Sequence, residues 1–422
     1  MIRPIIFTFF VRLCSAVLNF LIIVILSQEL GSEAKGICTK YITIVTNALI
    51  FCDLIGGPAL VYLSAKYKPV SFLLPSYLWS ILTSALTIYA FYIFGQIKSS
   101  ELGFMLILSF LNSCIAIHQN ILSGKQKFYH LNIVILLQSL LIFLSLQGLL
   151  KISSEYFNSN SPEIYVMALG FSWGISALIG FFFIISLDQS GEKMAIEKMI
   201  TSAFRYGFLN VLGHFLQFFN QRLSYFLLPD KSLGVFSNAT SIGESLWMIS
   251  NSIATVQYGK ISNMEDKIKA EKLSLLFFKI NFLLCLLGAI ALCFLPNNFF
   301  TWLFGSGFTG IHPILMWLSP GLVFYSCYLI LGHHFSGRGE FHRNLYSIGC
   351  GLIITALGLL IVKLFFKDFN FIYAAAITSA SYFGNFIVSL FLFKKEGSFS
   401  FKNFLIIREE FKLIKHLLKK TD

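Results

Sequence analysis

The sequence predicts an all-α integral membrane protein of twelve transmembrane helices. Three observations predict it: long apolar runs, a scarcity of charge, and a motif repeated half a chain apart. Mean hydropathy is +0.75, and over 422 residues 56% are hydrophobic while 12% are charged, against roughly 25% charged in soluble domains. Inside hydrocarbon a chain must satisfy its own backbone groups, so an unbroken run of about 20 apolar residues reads as a helix. A barrel strand would alternate instead.

The first run, 4–27, continues without a small-residue cleavage site and reads as a retained helix, not a removed signal peptide. The second, 37–64, follows a loop from Gln28 to Ile37. The runs 72–95, 102–124, 131–151 and 164–187 complete a first six. A second six follows at 205–228, 234–258, 273–296, 314–336, 345–366 and 371–393. The fourth run ends in Ser-Gly-Lys-Gln-Lys-Phe (Ser123 to Phe128) and the tenth in Ser-Gly-Arg-Gly-Glu-Phe (Ser336 to Phe341), 213 residues apart. Six helices per half give both halves one orientation, so this is a parallel repeat; the other reading is that Ser-Gly-basic merely ends helices on one side. The expected organisation is an N-terminal six-helix bundle over 1–200, a C-terminal one over 201–396, and a basic tail over 397–422. In that tail Phe404, Ile407, Phe411, Ile414 and Leu418 recur every three or four residues with lysines on the other faces. Such a helix lies on an anionic leaflet, or docks a partner.

An even number of spans puts both termini on one side. The net charge of +12 is carried mostly by loops on that side, around Lys66 and Lys68, Lys125 and Lys127, Lys193 and Lys198, Lys260 to Lys272, and Arg338 and Arg343, and by the tail. The bias makes the termini cytoplasmic and reads as membrane orientation, not as a nucleic-acid footprint. Eight cysteines fall singly, without metal-ligand spacing, and read as small core residues. No P-loop and no HExxH or paired-cysteine zinc motif occurs in the sequence, so neither a cofactor nor a metal is expected, and energy would come from a gradient or a separate subunit.

Ionisable groups inside spans cost about 2.5–3.5 kcal/mol each at a helix centre on insertion scales, and so need a partner, a wet cavity or a function. The candidates are Arg12, Lys40, Asp53, Arg222, Glu244, Lys279 and Lys363, five cations to two anions. Mutual neutralisation cannot satisfy all of them, and an anionic ligand would supply the difference. A diphosphate suits it, since Arg grips its oxygens bidentately and Lys meets them as a point charge. Lys40 and Lys363 lie near membrane faces, where they snorkel. Arg12, Arg222 and Lys279 sit deeper, either lining a cavity or pairing with Asp53 or Glu244. Asp53 precedes Gly56, Gly57 and Pro58, a helix break marking a pathway, a hinge or close packing. Glu244, with Ser241, Ser245 and Asn251 nearby, is either a proton- or sodium-coupling acid or part of an interhelical hydrogen-bond cluster. His118 and His214 are lone imidazoles that read as packing residues, with a proton relay as the alternative. Sugar-stacking platforms would lie among the Tyr and Trp, but no pattern singles them out.

Twelve spans in this length, the loop QELGSEAKGI (Gln28 to Ile37), and NQRLSYFLL with LGVFSNA (Asn220 to Ala239) resemble the polysaccharide-exporter branch of the multidrug/oligosaccharidyl-lipid/polysaccharide superfamily. So does WLFGSGFTGIHPILMWLSPGL (Trp302 to Leu322), leading into SGRGEF. Within that branch the O-antigen flippases are most similar. The resemblance covers essentially the whole chain through diffuse Gly, Pro and apolar patterns. It implies two pseudo-symmetric six-helix bundles around a cationic central cavity, working by alternating access in the bacterial cytoplasmic (inner) membrane. The substrate it implies is an undecaprenyl-diphosphate-linked oligosaccharide, such as an O-antigen repeat unit for lipopolysaccharide. The partners it implies are that substrate, membrane lipids, a polysaccharide polymerase and a chain-length regulator. A functional role for span charges carries over to Arg12 and Arg222. Where the family often has an acid just after the seventh-span arginine, this chain has Leu223 and Ser224.

Multidrug efflux, a second transporter reading, calls for an acidic cavity, which the basic excess opposes. Lipid II flippases of the superfamily usually carry two more helices. A membrane-embedded polymerase or ligase needs a large outward loop, and the longest outward loop here runs only from Asn297 to Pro313. Transport, not catalysis, is the expectation.

Overall fold

The structure, a computed structural model, describes residues 2–156, 161–187, 192–262, 264, 266–366 and 369–394. Among these residues every regular element is helical. The α-helices are α1 (Ile2–Gly56), α2 (Pro58–Lys66), α3 (Leu73–Ile93), α4 (Leu102–Gly124), α5 (Phe128–Tyr156), α6 (Glu163–Ile185) and α7 (Ile196–Arg222). They continue with α8 (Asp230–Glu244), α9 (Trp247–Ile261), α10 (Lys267–Phe294), α11 (Asn297–Phe304), α12 (Ile311–Gly337), α13 (Phe341–Phe365) and α14 (Phe371–Lys394). The basic tail expected to form an amphipathic helix lies outside the described residues.

Nine helical stretches among the described residues are long and apolar enough to cross a bilayer. One of them, Phe10–Lys66, has 57 residues, roughly 85 Å of helix at 1.5 Å per residue, far longer than one crossing needs. It holds two passes meeting at Gly31, whose φ of 76° and ψ of 178° leave the helical region for one that glycine enters without penalty. Counting the second arm of α1 separately, and adding α7 and α8 with α9 taken end to end, the passes among the described residues number twelve. The second arm is merged with the first in the 57-residue stretch, α8 and α9 are each only 15 residues long, and Asn, Gln, His and Arg dilute the apolar run of α7.

Two boundaries differ from the sequence reading, and the break it expects at Gly56, Gly57 and Pro58 is present. The loop expected from Gln28 to Ile37 is helical except at Gly31, since Ser32-Glu33-Ala34-Lys35 contains good helix formers. The second span breaks at Gly57 (φ −97°, ψ −144°), and Pro58 opens α2, a first-turn position where its missing N–H costs nothing. Carbonyls around that break find side-chain donors: Asn120 Nδ2 donates to Gly56 O at 3.1 Å and Trp79 Nε1 to Phe51 O at 3.1 Å. The eighth span divides between Glu244 and Trp247, where the Ser245 N–H reaches Ser241 O at 3.3 Å and Ile242 O at 3.2 Å. No proline announces that second break.

The Ser-Gly-basic repeat is a repeated helix cap. After α4, Lys127 N donates to Leu122 O at 2.9 Å and Gln126 N to Ser123 O at 2.9 Å. After α12, Glu340 N donates to Phe335 O at 2.8 Å and Gly339 N to Ser336 O at 3.0 Å. Bonds spanning five residues close a Schellman-type cap around a left-handed residue. That residue is Gln126 (φ 56°) in one case and Gly339 (φ 76°) in the other.

The chain divides into two compact units. The first comprises Met1–Phe215 with Pro229–Val235 and Thr301–Phe308; the second comprises Leu216–Leu228, Phe236–Phe300 and Thr309–Asp422. Within the first, the helices bury small polar faces and expose large apolar ones. On α3, Ser76, Ser80, Thr83, Ser84 and Thr87 are buried, while Leu74, Leu78, Leu82 and Leu86 are exposed. On α6, Ser172, Ser176 and Gly180 are buried and Phe171, Leu178 and Phe182 are exposed. Lipid is as apolar as leucine, so close contact through small residues holds membrane helices together. In the second unit α12 is the central rod, with 72% of its apolar window buried.

Candidate functional site

The structure brings together two of the charged residues that the sequence nominates. Arg222 closes α7 and Glu244 closes α8. Their side chains meet as a two-pronged ion pair, Nη1 to Oε1 at 2.6 Å and Nη2 to Oε2 at 2.7 Å. A helix C-terminus carries the negative end of the macrodipole, so it favours Arg222 and disfavours Glu244. The pair is not sealed: 23% of the arginine side chain and 20% of the glutamate side chain remain accessible.

Aromatic residues surround it within the second unit. The Arg222 guanidinium carbon lies 5.0 Å from the centroid of the Tyr225 ring, a cation–π distance, and the Tyr225 hydroxyl is bonded to Thr240 Oγ1 at 2.6 Å. Trp247, Tyr325 and Tyr382 form a triangle with centroids 4.4, 4.6 and 5.6 Å apart. The Tyr325 hydroxyl is buried there without a partner. Two residues before Arg222, Asn220 anchors the end of α7: its Oδ1 accepts the hydroxyls of Thr355 on α13, at 2.9 Å, and of Ser381 on α14. Sequence reasoning missed these residues. The one available signal was that Tyr225 follows Arg222 by three positions.

The remaining candidates sit apart from this pair. Lys279 is buried on α10, 3% exposed. In the first unit Arg12 is exposed on α1, without an acidic or hydrogen-bonding partner among the described residues. Asp53, half-buried, lies one turn before the Gly57 break, and its carboxylate likewise has no partner among them. Ser241 and Ser245 donate to carbonyls of their own chain segment, Ser237 O at 2.8 Å and Ile242 O at 2.6 Å. His118 is buried on α4 and bonds Tyr77 through Nε2, while its Nδ1 is buried without a partner; His214 is exposed on α7. Lys363 is exposed in the last turn of α13. Lys40 is paired with Asp230 at 2.7 Å. Lys35, placed by the sequence reading in a loop, is a buried helical lysine whose Nζ donates to Thr39 Oγ1 at 3.0 Å. Five of the eight cysteines are buried, and no cluster of three metal-ligating side chains occurs among the described residues.

A separate apolar groove of about 590 Å³ lies between α12 and α14, lined by Met316, Trp317, Pro320 and Phe324 on one side and Ala376, Ser379, Ala380 and Phe383 on the other. It has no charged lining, so it suits hydrocarbon and not an anion.

No protein-family model and no curated protein matches the chain. Solved structures do. A multidrug resistance MATE family transporter of the MOP superfamily, in an inward-facing conformation, aligns with a TM-score of 0.67 at 15% identity, covering 92% of this chain and 96% of that one. The lipid II flippase MurJ, in an inward closed conformation, aligns with a TM-score of 0.69 at 18% identity, covering 96% and 89%. A MOP superfamily transporter from Pyrococcus furiosus, described as having a binding pocket of reversed polarity, aligns with a TM-score of 0.59 at 14% identity, covering 93% of each chain. The chain has the fold of these multi-pass membrane transporters.

Proposed function

We propose that the protein is a flippase carrying an undecaprenyl-diphosphate-linked oligosaccharide, such as an O-antigen repeat unit, from the cytoplasmic to the periplasmic leaflet of the bacterial inner membrane. It works by alternating access of its two six-helix halves, driven by an ion gradient, with both termini cytoplasmic. The observation that carries the reading is Arg12, an exposed guanidinium in the first span with no acid to meet it among the described residues. A span pays for such a charge only where water or an anion offsets it, and a lipid-linked diphosphate brings that anion into the membrane. Likeness to a flippase of a lipid-linked substrate over 96% of the chain supports the same class. Arg12 and Arg222 are assigned to the anionic head, Lys279 to the same positive field, and Asp53 and Glu244 to coupling or pairing.

Multidrug export is the second reading, favoured by the likeness to the MATE transporter. Cationic drugs are held by acids, and here Glu244, one of the two acids that the sequence nominates, is already bound to an arginine.

Deleting the gene is expected to trap single lipid-linked units on the inner leaflet. Single units displayed at the surface would reject transport and indicate a polymerase. Export should fall further for Arg12→Ala and Arg222→Ala than for the corresponding lysine variants at equal expression; equal export in all four removes both residues from the site.

A further inference from the structure

We propose that the Glu244 carboxylate is a built-in stand-in for the substrate's anionic head: it occupies the Arg222 fork until a diphosphate displaces it, whereupon Glu244 takes up a proton. The inference rests on the diphosphate reading above and adds a specific exchange to it.

The geometry of the pair is the first ground. Both terminal nitrogens of Arg222 are spent on both oxygens of one carboxylate, the arrangement in which a guanidinium also receives two phosphate oxygens. A free arginine and an arginine so engaged present different surfaces to an arriving anion. The accessible fifth of each side chain gives a ligand a place to begin the exchange.

Retention of the fork after the exchange is the second ground. Arg222 is steadied by groups other than Glu244: the Tyr225 ring lies against its guanidinium, that ring's hydroxyl is tied to Thr240, and Asn220 pins the end of α7 to α13 and α14. The fork is therefore preorganised for a second anion, and preorganisation lowers the ordering cost of binding.

The third ground is the situation of Glu244 once it is released. Around it stand Arg222 of α7, Tyr225 of the turn that follows, Tyr325 of α12 and Tyr382 of α14. Arg222 is the cation bonded to it. Ser241 and Ser245, which could have held a freed carboxylate, donate to backbone carbonyls. Glu244 also closes α8, at the negative pole of the helix. A carboxylate left there without its arginine is stabilised by accepting a proton from water, so one proton enters as one diphosphate binds. When the diphosphate leaves, Glu244 returns the proton and recloses on Arg222.

The test uses the purified full chain in lipid nanodiscs at pH 8, with farnesyl diphosphate as the probe. At that pH the phosphate, with a second pKa of about 6, carries its full charge. Calorimetry in buffers of differing ionisation heat is expected to show about one proton taken up per ligand bound to the wild type. Glu244→Gln should bind roughly tenfold tighter with no uptake, and Arg222→Ala should bind at least tenfold more weakly. The wild-type proton count stands even if a variant folds poorly. Absence of net uptake, or a Glu244→Gln affinity no higher than wild type, overturns the exchange. If Arg222→Ala still loses binding in that case, the diphosphate reading survives. Failure of the wild type to bind the probe overturns both.

Discussion

The two halves of the chain carry the same kinds of charge in their first two spans and treat them oppositely. In each half an arginine stands on the first span, Arg12 or Arg222, and an acid stands just before a break in the second, Asp53 before Gly57 or Glu244 before Leu246. In the C-terminal half base and acid are joined by two short bonds; in the N-terminal half neither has a partner among the described residues. Composition therefore does not decide whether a charge within the membrane is structural or available. In the C-terminal half Arg222 and Glu244 neutralise one another, whereas in the N-terminal half Arg12 and Asp53 are not joined to each other among the described residues.

Stability should separate the two halves most strongly. Removing one partner of a fully buried pair costs about 3–5 kcal/mol; with a fifth of each side chain accessible, Arg222→Ala and Glu244→Ala should each cost about 2 kcal/mol. A double-mutant cycle read by thermal unfolding should give clear coupling for Arg222 with Glu244 and none for Arg12 with Asp53. Coupling in the second cycle would erase the contrast. The next largest effect should be on transport: Arg12→Ala is expected to reduce export about tenfold, or 1.4 kcal/mol, with an unchanged Tm. A fall in Tm equal to that of Arg222→Ala would make Arg12 a structural residue.

The helix breaks offer a smaller test of the same contrast. In the N-terminal half the carbonyl of Gly56 relies on Asn120 of α4, while at the other break the bonds between Ser241 and Ser245 stay within the backbone. Asn120→Ala should therefore destabilise the fold by about 1 kcal/mol, the usual worth of such a hydrogen bond, measured by thermal unfolding. Ser245→Ala should change Tm by less.

Much of this architecture was legible in residues. The spans followed from apolar run length, because a bilayer imposes a length that a soluble core does not. The caps at Ser123 and Ser336 were legible because a left-handed residue must follow each helix. Arg222 and Glu244 were nominated singly, by the cost of charge in hydrocarbon. Pairing with Asp53 or Glu244 was one of the alternatives their charges left open, but which pair forms was not legible: Arg222 and Glu244 are 22 positions apart, separated by a short 3-10 turn (Leu223–Phe226) and most of α8, and no periodicity relates residues across a change of helix. The break after Glu244 was hidden because local bonds replace the helical ones without Pro. Lys35 was misplaced because a single glycine, not a loop, turns the chain. The aromatic triangle was unreadable for a related reason, its members coming from α9, α12 and α14.

The smallest predicted effect sets the membrane acids against one held in water. Asp266 caps the N-terminus of α10, accepting the N–H groups of Ile268 at 3.0 Å and Lys269 at 3.2 Å through Oδ1. The backbone hydrogen bond from Lys269 is the main influence holding its carboxyl below the ordinary value; desolvation, the next largest, opposes it, and the Lys269 side chain and the Ile268 N–H add to the lowering. A carboxyl depressed in the folded state stabilises fully above its unfolded pKa, near 3.9, and loses that contribution as pH falls through the lower folded value. Asp266→Asn keeps a competent cap and removes the titration. The Tm difference between wild type and Asp266→Asn should therefore be constant from pH 6 to 5, in favour of wild type, and shrink below about pH 4. A gap that widens with acid would mean that the charge of Asp266 opposes the fold, and its contrast with Glu244, which sits at the unfavourable end of its helix, would be lost.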